Sequence, residues 1–258
     1  MQVSITGAVM KAFITLTLAV CLLAVSFAGH CGLTDRDPGK VWMRANIVLD
    51  ASGKLTSIEW LGTKPGGELV TAPLENVLRT WEFEPGKING VPVTTQTGLW
   101  LNMRLSKSGK DKFVVHIDDA GTGPISDTLL APPSFPIKQV YAAASAYMDL
   151  VLDIDEAGKV VSVAVSDYAG NTASKPDRKA FEAAAIEVAY TWKYRPEIVG
   201  GKPLAAKLTI PMAFCIDGWC ARHERKLAAS GKNIVPVGTS VALDSAVKIL
   251  TRTDSVEI

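Results

Sequence analysis

The residues able to do chemistry in this chain are few, and the closest pair of them is Cys215 and Cys220. In Phe214-Cys215-Ile216-Asp217-Gly218-Trp219-Cys220 a glycine-containing turn separates two thiols, so in an oxidising compartment they are expected to close a tight disulfide loop. A redox or metal pair would want a second Cys/His pair at ligand spacing, and only His223 is near. His30, His116 and His223 are scattered, and His223-Glu224-Arg225-Lys226-Leu227 lacks the second histidine of a zinc-protease helix. Asp153-Ile154-Asp155-Glu156-Ala157-Gly158 imitates the start of a calcium loop. Its fifth and twelfth positions are Ala157 and Ala164, which cannot ligate, so it reads as a hairpin turn. Gly121-Thr122-Gly123-Pro124 lacks the following Gly-Lys of a phosphate loop, and no Gly-x-Ser-x-Gly elbow occurs. The expectation is a non-enzyme: no catalytic residue, no metal, no cofactor and no small-molecule substrate.

Charge excludes another class. With 27 basic against 26 acidic side chains there is no pole of charge to neutralise a phosphate backbone, so nucleic acid is not an expected partner. Residues 1–28 stand apart, because Lys11 precedes an uncharged, largely apolar run from Ala12 to Phe27. Ser26 and Ala28 put small residues at minus three and minus one of a cleavage site, which is the pattern of a secretory signal peptide. Cleavage would remove Lys11 and Cys21 and leave acids and bases equal, with Cys31 an odd thiol near the new N-terminus. An uncleaved anchor is the alternative, although the run is slightly short for a spanning helix, and only that alternative gives membrane contact. Lipidation is not supported, since Ala28-Gly29-His30 and Leu18-Ala19-Val20 precede the two N-terminal cysteines.

The elements that would position any site come in two similar runs, about 110 residues apart. One holds Leu49-Asp50-Ala51-Ser52-Gly53-Lys54-Leu55, then Trp81, Phe83, Pro85, Gly90 and Pro92. The other holds Ile154-Asp155-Glu156-Ala157-Gly158-Lys159-Val160, then Trp192, Tyr194, Pro196, Gly201 and Pro203 at the same spacings. Met148, Leu150, Leu152 and Ile154 alternate, as do Val161, Val163 and Val165, which predicts a hairpin with one buried face. From Asp177 the period becomes helical through Phe181, Ala184, Ala185, Val188 and Trp192, and Pro196 ends it. Val70, Leu74, Val77, Leu78 and Trp81 repeat that stripe before Pro85. A third strand follows in each run, over Leu99, Leu101, Met103 and Leu105 and over Ala206, Leu208, Ile210, Met212 and Phe214.

The expected fold class is therefore α+β: two tandem ββαβ modules, each a helix on a three-stranded antiparallel sheet. The boundaries are a signal peptide over 1–28, a degenerate module over 41–106, a linker over 107–131 containing a strand at Phe113 to Ile117, a module over 132–216, and a C-terminal extension over 217–258. The signature residues Trp81, Phe83, Pro85, Gly90, Trp192, Tyr194, Pro196 and Gly201 are read as architectural, since aromatics at a helix end bury large area against a sheet. Trp60 and Trp100 are expected on the face away from their aliphatic neighbours, as a contact surface or the seam between modules.

The second run resembles the C-terminal domain of the TonB family. Pro132-Pro133-Ser134-Phe135-Pro136 is similar to that family's Pro-x-Tyr-Pro lead-in, and Asp155 to Gly158 to its hairpin turn. Trp192-Lys193-Tyr194-Arg195-Pro196 is similar to its helix end, and Ile210-Pro211-Met212-Ala213-Phe214 to its last strand. The first run lacks the lead-in. What the resemblance implies is a periplasmic protein-binding domain that docks on outer-membrane transporters or other envelope proteins when a partner peptide adds a strand to its sheet. Carried over by position, the lead-in aromatic and proline are Phe135 and Pro136, with Phe replacing the usual Tyr. Transducers of the family keep an uncleaved helix and a long proline-rich spacer. Such a spacer is absent here, so a secreted periplasmic binder is expected, with an inner-membrane-anchored energy transducer as the alternative. Ser26 and His30 reproduce the Ser-x3-His spacing of the transducer helix, but at the end of the apolar run.

Partner contact is expected at sheet edges. Pro211 lacks an N–H, and Asn102 is read as its counterpart in the first run, so the strand through Leu99, Leu101, Asn102 and Met103 is the freer edge unless Phe113 to Ile117 already pairs with it. The tail opens with a predicted helix over Ala221 to Ser230 and a strand-like Val241 to Thr251, which would cap an edge and compete for strand addition.

Overall fold

The computed structural model describes residues 40–62, 68–107, 113–126, 128–231 and 234–257. Residues 1–28, expected to be a signal peptide, lie outside them, as do His30 and Cys31. The described part of the chain is α+β, with four helices and antiparallel strands.

The first half begins with β1 (Lys40–Leu49), which turns into β2 (Leu55–Leu61). Asp50 makes that turn: its Oδ1 accepts from the Ser52 hydroxyl at 2.6 Å, the Lys54 N–H at 3.0 Å and the Ser52 N–H at 2.8 Å, and these bonds, the hydroxyl's first, hold its carboxyl below the usual range. Helix α1 (Glu68–Leu78) lays Leu74 and Leu78 on the sheet, both fully buried, and Trp81 follows at 3% exposure. The chain then runs through β3 (Glu82–Glu84), the small hairpin β4 (Lys87–Ile88) and β5 (Val91–Pro92), and the long β6 (Thr95–Lys107). Strand β7 (Phe113–Gly123) returns along β6.

The second half opens with α2 (Ile137–Tyr141), then β8 (Ala146–Ile154) and β9 (Val160–Gly170). Asp155 repeats the turn, accepting from Ala157 N at 3.0 Å and Lys159 N at 2.8 Å. Helix α3 (Lys175–Ala189) starts on Ser174, whose side chain accepts from the Asp177 N–H, with proline in the first turn. It buries Phe181, Ala185 and Ala189. Strands β10 (Ile198–Val199), β11 (Lys202–Pro203) and β12 (Ala206–Phe214) follow, then α4 (Trp219–Ala229), β13 (Val241–Ala242), β14 (Lys248–Thr251) and β15 (Ser255–Glu257).

The helix exit is fixed the same way in both halves. Tyr194 N donates to Gly158 O at 2.9 Å, and a Cβ on Gly158 would stand 1.8 Å from Tyr194 O. A Cβ on Gly53 would stand 2.0 Å from Phe83 O. Both glycines also have positive φ, 82° and 74°. The turn glycine is thus required twice over, for its dihedral and for the backbone that lies on it.

Register corrects two expectations. β1 lies between β2 and β6, and β8 between β9 and β12. Arg44 and Asp149 stand equally far before Asp50 and Asp155, and they face Trp100 and Pro211 respectively. The counterpart of Pro211 is therefore Trp100, not Asn102. Trp60 is also on the other face from the one expected. Val48 pairs with Ser57 and Leu49 with Leu55, so Thr56 is an extra residue in a bulge, and Ile58 and Trp60 turn to the same core as Leu55. Trp100 does lie opposite Leu99 and Leu101, stacked on Trp42 at 6.1 Å and covering Gly121.

Nor are the sheets three-stranded. One is seven-stranded, with β10 and β11 of the second half, β7 and β15 added to β6, β1 and β2. The other runs β13-β12-β8-β9. The stretch expected as a linker is largely β7, and its continuation crosses to bridge Ile125 with Arg195. The tail does the reverse. β13 adds to β12, then β14 pairs with β3, Lys248 opposite Glu84 and Ile249 opposite Phe83. The two crossing strands meet where a Cβ on Gly123 would stand 2.4 Å from that of Ala242.

Replacing Gly158 with Ala forces the Tyr194 carbonyl away and strains a positive φ, so thermal denaturation is expected to show a loss on the order of 2–4 kcal/mol. A loss under about 0.5 kcal/mol would show that the helix exit does not depend on this contact.

Candidate functional site

The lead-in segment is held inside its own half. Trp192 Nε1 donates to Ala131 O at 3.0 Å, and the Phe135 ring sits edge-on to Phe181 at 5.6 Å and to Phe214 at 5.5 Å. A phenylalanine suits that position, because the ring packs edge-on against Phe181 and Phe214 in the apolar core. Pro136 caps α2, and Gln139 ties the short helix to Asp177, donating at 3.1 Å. This bond, one from Thr172 and one from Ser174 hold the Asp177 carboxyl below its usual range. Phe135 thus packs, half-buried, within its own half, and Pro136 begins α2.

The edge expected at Leu99, Leu101, Asn102 and Met103 is not open. β6 pairs with β1 on one side and with β7 on the other, from Gly98 opposite Gly123 to Lys107 opposite Phe113. Leu99, Leu101 and Met103 are core residues, at most 1% exposed. Asn102 lies on the opposite face, and its Oδ1 is buried without a hydrogen-bond partner, as is Trp100 Nε1.

The tail closes further edges. β13 pairs with β12 at Leu208 and Thr209, Gly238 N donates to Pro211 O at 2.8 Å, and Leu243 N donates to Lys207 O at 2.9 Å. β15 pairs with β7 over Val114 to His116. Val247, 1% exposed, joins the core of the first half, so the tail is part of the fold and not a loose cap. The disulfide joins Cys215 and Cys220 and starts α4, which lies against the sheet through Tyr147 and His223, ring centroids 5.3 Å apart.

Sequence reasoning missed one residue that joins these parts. Glu197 is 2% exposed; it accepts from Thr97 Oγ1 at 2.7 Å, Ser245 Oγ at 2.9 Å and Ala246 N at 2.9 Å. First half, second half and tail meet on this carboxylate. The available signal was a difference between the runs, since Gly86 follows Pro85 where Glu197 follows Pro196. Nearby, Glu59 accepts from Arg195 at 2.6 Å and from Asn46, which holds its carboxyl below the usual range.

Among the described residues no group of three or more His, Cys, Asp or Glu side chains is placed to hold a metal ion, and no helix is long and apolar enough to cross a membrane. Among the described residues, β2 and β9 are the longest strands paired on one side alone; the others so placed, such as β11, β13 and β15, are two to four residues long.

What the fold defines is an α+β protein of antiparallel sheets. Comparison adds a likeness: residues 131–216 match the model of the family described as Gram-negative bacterial TonB protein C-terminal. Similar proteins include Protein TonB of Xanthomonas campestris pv. campestris, in strain B100 and in strain ATCC 33913, each 26% identical over 93 residues. The matched region is 36% of this chain and 39% of each relative, so the chain spans about two fifths of their length.

Glu197→Ala is expected to cost about 1–3 kcal/mol, because it strands two hydroxyls and one amide in the core. Amide exchange should quicken first at Ala246 to Thr251, while Leu150 and Leu152 stay protected. Uniform loosening would show that Glu197 does not hold the tail in particular.

Proposed function

We propose that this is a non-catalytic periplasmic protein-binding module of the TonB C-terminal type, which captures extended segments of outer-membrane transporters or other envelope proteins by strand addition. The observation that carries the reading is the family match over residues 131–216, placed on a fold that already extends its sheets with added strands. Three short strands of the tail each join an existing strand, so strand addition is the chain's own mode of association.

Residues 41–106 and 132–216 are, in this reading, two copies of one ββαβ module. Support comes from bonds that recur at matched positions. Thr80 N donates to Val77 O and Thr191 N to Val188 O, both at 2.9 Å. Val93 N donates to Gly86 O at 3.0 Å and Leu204 N to Glu197 O at 2.9 Å. The first copy, lacking the Pro-x-Tyr-Pro lead-in, has the tail strand β14 beside Phe83 instead.

Export places the protein in the periplasm with residues 1–28 removed. N-terminal sequencing of the exported protein is expected to begin at Gly29; a chain beginning at Met1 would favour the anchored, energy-transducing alternative. Binding is tested by titrating the exported chain with synthetic peptides copied from the periplasmic N-terminal segments of outer-membrane transporters. Saturable binding that a central proline in the peptide abolishes is expected, since proline removes a ladder donor. No binding by any such peptide would sink the reading.

A further inference from the structure

Of the strands that end a sheet, two differ in how they are protected. β9 has Val161 and Ser166 as extra residues, since Ile154 and Asp153 pair with Val160 and Ser162 while Leu150 and Asp149 pair with Val165 and Asp167. Two bulges in one edge strand twist it and interrupt any ladder, which is a common defence against unwanted pairing. β2 has the Thr56 bulge at its start, and from Ser57 to Leu61 its register with β1 is unbroken. That stretch contains neither lysine nor proline, the residues that usually blunt an edge.

We infer that Ser57 to Leu61 of β2 is a strand-addition edge for an extended heterologous peptide with a cationic donor between two apolar residues. The inference rests on the binding role proposed above and assigns it to an edge. Its face toward the first core offers Ile58 and Trp60, both partly buried, with Trp60 held by Nε1 donating to Glu75 at 2.9 Å. Its other face has Glu59 at the centre, 54% exposed, with Oε2 accepting from Arg195 at 2.6 Å and Oε1 accepting a longer bond of 3.5 Å from the same guanidinium. A second copy pairing antiparallel about a two-fold centred here would set Glu59 against Glu59, and like charges directly opposite destabilise a ladder. An incoming lysine would instead meet Oε1, with its apolar neighbours over Ile58 and Trp60.

The probe is a capped synthetic pentapeptide, Thr-Val-Lys-Val-Thr, added to the full exported chain at about 1 mM, the scale on which a short unoptimised strand binds. Amide exchange is expected to slow about twofold at alternate residues within Ser57 to Leu61, since half the sites are then filled, and a glutamate-centred version should bind roughly three- to fivefold more weakly. Protection confined to Val160–Gly170 or Ala206–Phe214, or none at all, overturns the assignment. If transporter peptides bind but protect another edge, this inference falls and the proposed function stands. If the pentapeptide protects β2 while no transporter peptide binds, the edge stands and the transporter role falls.

Discussion

A helix that covers a sheet must hand its chain back to that sheet, and here the return depends on one backbone lying directly on another. The carbonyls of Phe83 and Tyr194 occupy the space a side chain would take at Gly53 and Gly158. With the turn and the helix exit locked together, Trp81 and Trp192 have one place to go, between helix and sheet, at 3% and 4% exposure. Pro85 and Pro196 then turn the chain toward its third strand, which takes the inner position beside β1 or β8. Removing either glycine disturbs a dihedral, a close contact and the direction of a strand together, which is why the signature and the turn keep the same relation in both halves.

Features legible in the sequence were those governed by short-range periodicity. The Asp-x-x-Gly turns, the stripes of α1 and α3 and the alternation of β8 and β12 each depend on residues within a few positions of one another. Where the pattern misled, a single residue was responsible. Thr56 shifts the alternation of β2 by one, which turned Trp60 to the core against expectation, and counting from the hairpin aspartates rather than from strand ends brings Trp100 level with Pro211. The continuation of β7 beyond Ile117 was illegible because Asp118-Asp119-Ala120-Gly121-Thr122-Gly123 has no apolar alternation; its pairing is dictated by β6. The lead-in aromatic was legible as a position but not as a role, since Phe135 is consumed by contacts with Phe181 and Phe214.

The joining of the halves was invisible for a different reason. Glu197 draws its partners from residues far away in sequence, and β13 is two residues long, too short for any period to register. Such contacts form only after both halves exist. A buried carboxylate tolerates its site through the donors converging on it, here three, so loss of one part of the seam is felt by the others.

These crossings also restrict where a partner can act. A strand tethered to the same chain is present at a far higher effective concentration than any free peptide, so β7 on β6 and β13 on β12 hold those edges against competitors. Displacing β7 would break a ladder running from Phe113 to Gly123, and displacing the tail would expose Val247 from the core. Neither cost is recovered by a short incoming segment, whose own ordering opposes binding. Association by strand addition must therefore use an edge that the chain does not occupy itself. β9 carries an extra bulge at Ser166, and β2 has no counterpart of it. The asymmetry between two otherwise similar hairpins thus leaves the edge proposed for a partner outside residues 131–216, the segment that matches the family model.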